Sequence, residues 1–208
     1  MFYINFLTGL LISAQTVVSG ASFDLPEYIF ETPQVEAAII EEVIIPEVPF
    51  YSQFRDIHLA GWQKVSCGIA DLGMIIDYYS DEEINIDNLL REGISSGAFI
   101  NGAGWSHMGL INLSNKYGLG GKAYYPTDLS SIDAFDMLKS YLEDGPAIAS
   151  VHYKLEPTNP IPHLIVVNGV KNGLVYYNDP ANAGSGDFIS IEDFIKAWKQ
   201  KFIVIRPI

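Results

Sequence analysis

Two apolar runs separated by Lys171-Asn172-Gly173 restrict this chain more than any other feature. His163-Leu164-Ile165-Val166-Val167-Asn168-Gly169-Val170 reads as a buried strand and Leu174-Val175-Tyr176-Tyr177-Asn178-Asp179-Pro180 as its partner. Asn-Gly supplies the positive φ angles of a tight turn, so the spacing predicts an antiparallel hairpin. Ala147-Ile148-Ala149-Ser150-Val151 leads into this pair as a third strand, and Phe202-Ile203-Val204-Ile205 adds another.

Upstream the apolar period changes from two to nearly four. Ile69, Leu72, Ile76 and Tyr79 recur on one helical face behind Ser66, an expected N-cap. A short helix is expected near Asn85 to Glu92, stopping at Gly93, and another from about Ser106 to Gly118. Ser130, with Asp133 at the third position, opens a helix that Gly145-Pro146 closes. A last helix spans Ser190 to about Lys199. Helices first and strands afterwards give an α+β chain with a twisted antiparallel sheet. The stretch from Ser95 to His107 reads as a flexible loop, and its Trp105 and His107 are candidate walls of a substrate cleft.

Cys67 is the only cysteine, and it falls in the first turn of the Ser66 helix. Unpaired backbone N–H groups and the positive end of the helix dipole favour an anion there, so the thiolate is favoured. The competing reading is a small buried apolar side chain. His163 opens one strand of the hairpin and Asp179 closes the other, so both lie toward the same end, where a carboxylate or an amide can orient an imidazole. A two-residue turn at Asn172-Gly173 places Val166, not His163, opposite Asp179, so a bulge or a longer turn is required. Asn178 competes with Asp179 as the orienting group. Alternation along the strand lets only one of them face His163. One cysteine and four scattered histidines offer no zinc set, and no phosphate-binding glycine loop occurs, so neither metal nor cofactor is implied.

Three segments resemble the papain-like cysteine peptidases that process bacteriocins after double-glycine leaders, and especially their stand-alone relatives. They are Val48-Pro49-Phe50-Tyr51-Ser52-Gln53, then Ser66-Cys67-Gly68-Ile69-Ala70 with Met74-Ile75-Ile76-Asp77-Tyr78-Tyr79, and Pro162-His163-Leu164-Ile165-Val166-Val167-Asn168-Gly169 with Asn178-Asp179-Pro180 and Phe194-Ile195-Lys196-Ala197-Trp198. The resemblance implies a papain-like fold, a helical half facing the sheet across a cleft. It also implies Cys67 as nucleophile, His163 as general base, Asp179 as the residue orienting it and a glutamine as oxyanion donor. Gln53 sits in the family-like phrase and is preferred. Gln63, four residues before Cys67, is the alternative. A peptide or protein is the implied substrate, cleaved at a peptide or isopeptide bond. Cell-wall amidase chemistry, acyl transfer to an amine, and a catalytically inert peptide-binding module are the rival readings. No transporter segments accompany these motifs, which counts against a double-glycine leader as the substrate, and the resemblance names no other. Oligomeric state is left open.

The 208 residues, 49% of them hydrophobic and 12% aromatic, suffice for one sizeable core. A net charge of −13 without a basic stripe argues against nucleic acid and against adsorption to anionic membranes. The acidic excess serves solubility or, on a rival reading, a cationic substrate. Residues 1–21 are largely apolar and end in Ser19-Gly20-Ala21, which reads as an export signal, with a packed helix or a short anchor as alternatives. No other membrane insertion is expected, and the protein is exported or at the cell surface if that signal operates, otherwise cytoplasmic. Residues 22–45 read as an acidic linker and 46–208 as the peptidase-like domain.

Overall fold

The computed structural model describes residues 44–80 and 83–208. The candidate export signal and nearly all of the acidic linker lie outside these residues. What is described falls within one unit, Glu41–Ile208.

A 3-10 turn, Gln63–Val65, runs directly into helix α1, Cys67–Tyr79. Ser66 stands between them, but it does not cap the helix as expected. Its backbone (φ −96°, ψ 15°) lacks the extended form an N-cap needs, and its hydroxyl donates to the carbonyl of Trp62 at 2.8 Å. The one-faced pattern read from the sequence also understates α1, because every residue from Gly68 to Ile76 is buried. The helix is packed by α2 (Ile86–Ser95) and α3 (His107–Ser114) and by the sheet. Gly68 permits one of these approaches: a Cβ there would meet Trp105 Cβ at 2.9 Å. The expected cap of α4 (Ser131–Leu142) is present, with Ser130 accepting from Asp133 N–H. Asn85 and Ser106, read only as helix starts, also cap, accepting from Asn88 N–H and Gly109 N–H. The last helix, α5 (Ile191–Ala197), is shorter than expected.

The segment read as a flexible loop holds a small hairpin, β1 (Phe99–Ile100) against β2 (Gly104–Trp105). The main sheet has six strands, all antiparallel: β3 (Leu119–Tyr124), β4 (Ala147–His152), β5 (Pro162–Lys171), β6 (Leu174–Asn178), β7 (Asp187–Ser190) and β8 (Trp198–Pro207), in the spatial order β3-β8-β4-β5-β6-β7. Strict alternation sends its side chains into two apolar layers. Ile148, Leu164, Val166, Ile203 and Ile205 join α1, α2 and α3 on one face. Ala149, Val151, Ile165, Val167, Phe202 and Val204 join Phe135, Leu138 and Phe194 of α4 and α5 on the other. Among the described residues no helix is long and apolar enough to cross a membrane.

The β5–β6 turn is the two-residue kind, with Asn172 at φ 53° and Gly173 at φ 78° between the paired Lys171 and Leu174. The required bulge is there, between Val167 and Gly169, and it brings Val166 opposite Asn178. Asp179 lies just past the end of β6, two positions along from a direct pairing with His163. Such diagonal neighbours remain within reach of long side chains.

Candidate active site

His163 is the centre of the arrangement. It is 4% exposed, and its Nε2 lies 2.6 Å from Asp179 Oδ1, while Ala181 N–H donates to the same oxygen at 2.8 Å. Cys67 lines the same cleft as His163. Burial alone pushes the imidazole pKa down. The hydrogen bonds to Asp179 and Cys67 and the charges of both outweigh that and raise it to about 10. The imidazolium form is therefore the favoured one, which suits a thiolate neighbour. Tyr153 holds the ring edge-on, with centroids 5.2 Å apart.

Asn178 points elsewhere. Its amide donates to the carbonyls of Val48 (3.1 Å) and Pro49 (3.4 Å), and its Oδ1 accepts from Gly186 N–H and Asn168 Nδ2. It ties the entering segment to the sheet, and alternation along β6 leaves Asp179 as the residue that meets His163.

The two glutamines separate in the same way. Gln53 is 2% exposed and lines the cleft that holds Cys67 and His163. Its Nε2 donates to the carbonyl of Gln63 at 2.8 Å, which leaves its second amide hydrogen uncommitted, and its Oε1 has no partner. Its backbone N–H donates to Pro180 O at 2.8 Å, so the loop carrying Gln53 is joined to the one carrying Asp179. Gln63 instead spans the loop before it, donating to the carbonyls of Ile57 (3.0 Å) and Phe54 (3.4 Å), and it does not line the cleft.

That cleft has a volume of about 840 Å³. Trp105 contributes to its wall, yet it is chiefly a core residue: it is buried, its Nε1 donates to Val65 O at 2.6 Å, and it packs on Phe99 and Trp62. His107 lines the cleft with both ring nitrogens engaged, one with Tyr125 Oη at 3.1 Å and the other with Ser150 Oγ at 3.0 Å. Lys64, Lys199 and Lys201 also line it, and sequence reasoning missed all three. Lys199 was hidden because the expected last helix ran to it, and Lys201 because it fell between that helix and the expected strand from Phe202. Asp71 was missed as well. It lies one turn after Cys67 on α1, fully buried, and neither carboxylate oxygen has a hydrogen-bond partner. Burial first, then the charges of Cys67 and Asp179, hold its carboxyl well above the usual carboxylate range, with His163 opposing. An acid at one-turn spacing from the cysteine, inside an otherwise apolar run, is the signal that would have found it. Among the described residues no group of three or more His, Cys, Asp or Glu side chains could hold a metal ion.

A family model described as a peptidase C39-like family matches residues 45–201. No curated protein sequence matches the chain. Similar solved structures include a putative C39-like peptidase from Bacillus anthracis, at 19% identity and TM-score 0.57, covering 80% of this chain and 98% of that one. The peptidase domain of Streptococcus ComA, a bifunctional ABC transporter of a quorum-sensing pathway, aligns at 21% identity and TM-score 0.54, covering 70% and 93%. A double-glycine-motif protease from an AMS/PCAT transporter, in complex with its leader peptide, aligns at 22% identity and TM-score 0.53, covering 78% and 93%. These likenesses establish the papain-like α+β fold.

Proposed function

Because the chain belongs to the peptidase C39-like family, we propose that it is a cysteine peptidase whose nucleophile is Cys67. One observation carries the reading: buried His163 is paired with Asp179 at the wall of a cleft that Cys67 and Gln53 also line. A binding cleft alone has no need of that combination. The leader peptide bound by a protease of the same fold supports a peptide as the occupant here.

The Cys67 thiolate attacks the carbonyl carbon, forming a C–S bond as the carbonyl oxygen becomes negative. The Cys67 backbone N–H and the uncommitted amide hydrogen of Gln53 stabilise that oxygen. Imidazolium His163 gives its proton to the departing amine as the C–N bond breaks, leaving a thioester. Neutral His163 then takes a proton from water, whose oxygen attacks the thioester and releases the acid and the thiolate. Asp179 keeps the ring in place throughout and stabilises its charged form.

The test is the pH dependence of Cys67 alkylation by iodoacetamide, in the wild type and in His163→Ala. Reactivity that persists well below the free-thiol range of about 8.5 and disappears with His163 is expected. An inert thiol, or one unaffected by the substitution, refutes the mechanism and leaves a packing cysteine.

A further inference from the structure

The cleft carries a charge opposite to that of the molecule. Net charge is −13, yet Lys64, Lys199 and Lys201 line the cleft and no Asp or Glu does. Among the described residues none of these lysines is ion-paired with a carboxylate.

Strand geometry puts two of them there. Ala149 pairs with Phe202 and Val151 with Trp198, so Lys199, Gln200 and Lys201 of β8 stand opposite Ser150 alone. Bulges of this kind re-aim side chains beside binding sites. Gln200 takes the left-handed conformation at φ 52°, and its amide donates to Ser131 Oγ at 2.8 Å. The lysines on either side of it reach the cleft. Ser150 Oγ meets His107 Nε2 at 3.0 Å, and the His107 ring stacks on Tyr125 at a centroid distance of 5.5 Å. Lys199 and Lys201 thus flank a fixed polar wall of His107, Ser150 and Tyr125.

Their charge is uncompensated. Burial and Lys201 together push the Lys199 ammonium pKa down, and the same two causes lower that of His107. A bound anion would relieve both.

We propose that this end of the cleft is a subsite for a carboxylate of the substrate, an acidic side chain or a free C-terminus, held by Lys199 and Lys201 against the His107 wall. The inference rests on the peptidase reading and narrows its substrates to peptides with a carboxylate at that position. It runs against the rival reading in which the acidic excess selects a cationic substrate.

The test uses the full chain as Cys67→Ala, so that binding is read without turnover. Fluorescein-labelled octapeptide pools of matched sequence carry either Glu or Gln at internal positions, each with a free or an amidated C-terminus. Fluorescence anisotropy should show either the Glu pools or the free-carboxylate pools binding about tenfold tighter than the fully neutral pool, which identifies the source of the carboxylate. The preference should collapse in Lys199→Gln/Lys201→Gln and survive Lys122→Gln/Lys139→Gln, the same two-charge change on β3 and α4 outside the cleft. It should also fade as salt rises from about 0.01 M to about 1 M and the Debye length shrinks from roughly 30 to 3 Å. A pool preference that is missing, or that outlasts the loss of both lysines, overturns the subsite. In the protein with Cys67 intact, iodoacetate should alkylate faster relative to iodoacetamide than in Lys199→Gln/Lys201→Gln. An unchanged ratio also counts against the proposal. Failure of the peptidase reading would instead appear as an alkylation profile indifferent to His163, whatever the peptides do.

Discussion

Replacing Asp71 by asparagine should change how stability depends on pH, in one direction only. The Asp71 carboxyl is fully buried, has no hydrogen-bond partner, and sits beneath Cys67, His163 and Asp179. Burial and the two neighbouring negative groups hold it protonated in the fold, far above its ordinary value of 3.8. In the unfolded chain it ionises near that ordinary value. Above it the unfolded state therefore binds fewer protons than the folded one, and stability falls as pH rises, by about 1.4 kcal/mol per pH unit, until the folded carboxyl itself ionises. Asparagine cannot ionise. If the carboxyl stays neutral across pH 5 to 7, the wild type loses about 3 kcal/mol relative to Asp71→Asn over that window. The buried amide adds its own cost, but as a constant offset. His163 titrates in both proteins: its folded pKa is raised, so its contribution is complete below 6.5 and is lost as pH rises through about 10. That term cancels in the comparison. Urea unfolding of both proteins at pH 5, 6 and 7 measures the difference directly. Parallel stability curves would refute the reasoning, because they would mean that Asp71 is ionised in the fold.

Gln53→Ala should lower kcat about 10²- to 10³-fold, the loss associated with one oxyanion donor, while iodoacetamide reactivity at Cys67 is retained; loss of thiol reactivity would assign Gln53 to positioning the thiol. Asp179→Ala should return the alkylation profile of Cys67 toward that of a free thiol. Asn178→Ala should leave the profile alone and cost about 1–3 kcal/mol of stability by stripping partners from buried groups. The reverse pattern would exchange their roles. Gly68→Ala places a methyl 2.9 Å from Trp105 Cβ and should destabilise by about 1–3 kcal/mol, seen as a lower Tm. An unchanged Tm would show that the contact yields without cost.

What could be read from the sequence was local chemistry. Asn172-Gly173 fixed the hairpin because few other pairs accept two positive φ angles in succession. Ser106 and Ser130 marked helix starts through hydroxyls placed to reach an N–H three residues on. His163 and Asp179 could be paired because the hairpin sets where its ends lie, whereas Cys67 was joined to them only through the family resemblance. The illegible parts depend on contacts between distant segments. Strand β3 contains Gly120 and Gly121 and has neither the alternation nor the branched residues of a strand. Gly121 is required because a side chain there would collide with Val204 O of β8, which no local pattern reveals. The β8 bulge arises from a mismatch with β4, so the sequence showed Lys199 as a helix end and gave Lys201 no place in either element. Asp71 lies outside the one apolar face read for α1, and its burial follows from layers that close on every side of that helix.

The order of strands has a consequence for how the site comes into being. Strand β8 is the last strand in the chain, yet it lies inside the sheet, between β3 and β4. Until Trp198–Pro207 inserts there, β4 lacks a partner on one side, and β5, which carries His163, rests on an incomplete sheet. An intermediate without β8 would expose two strand edges, those of β3 and β4. The strand that closes the sheet also carries Lys199 and Lys201, so the charged end of the cleft exists only once that strand has docked.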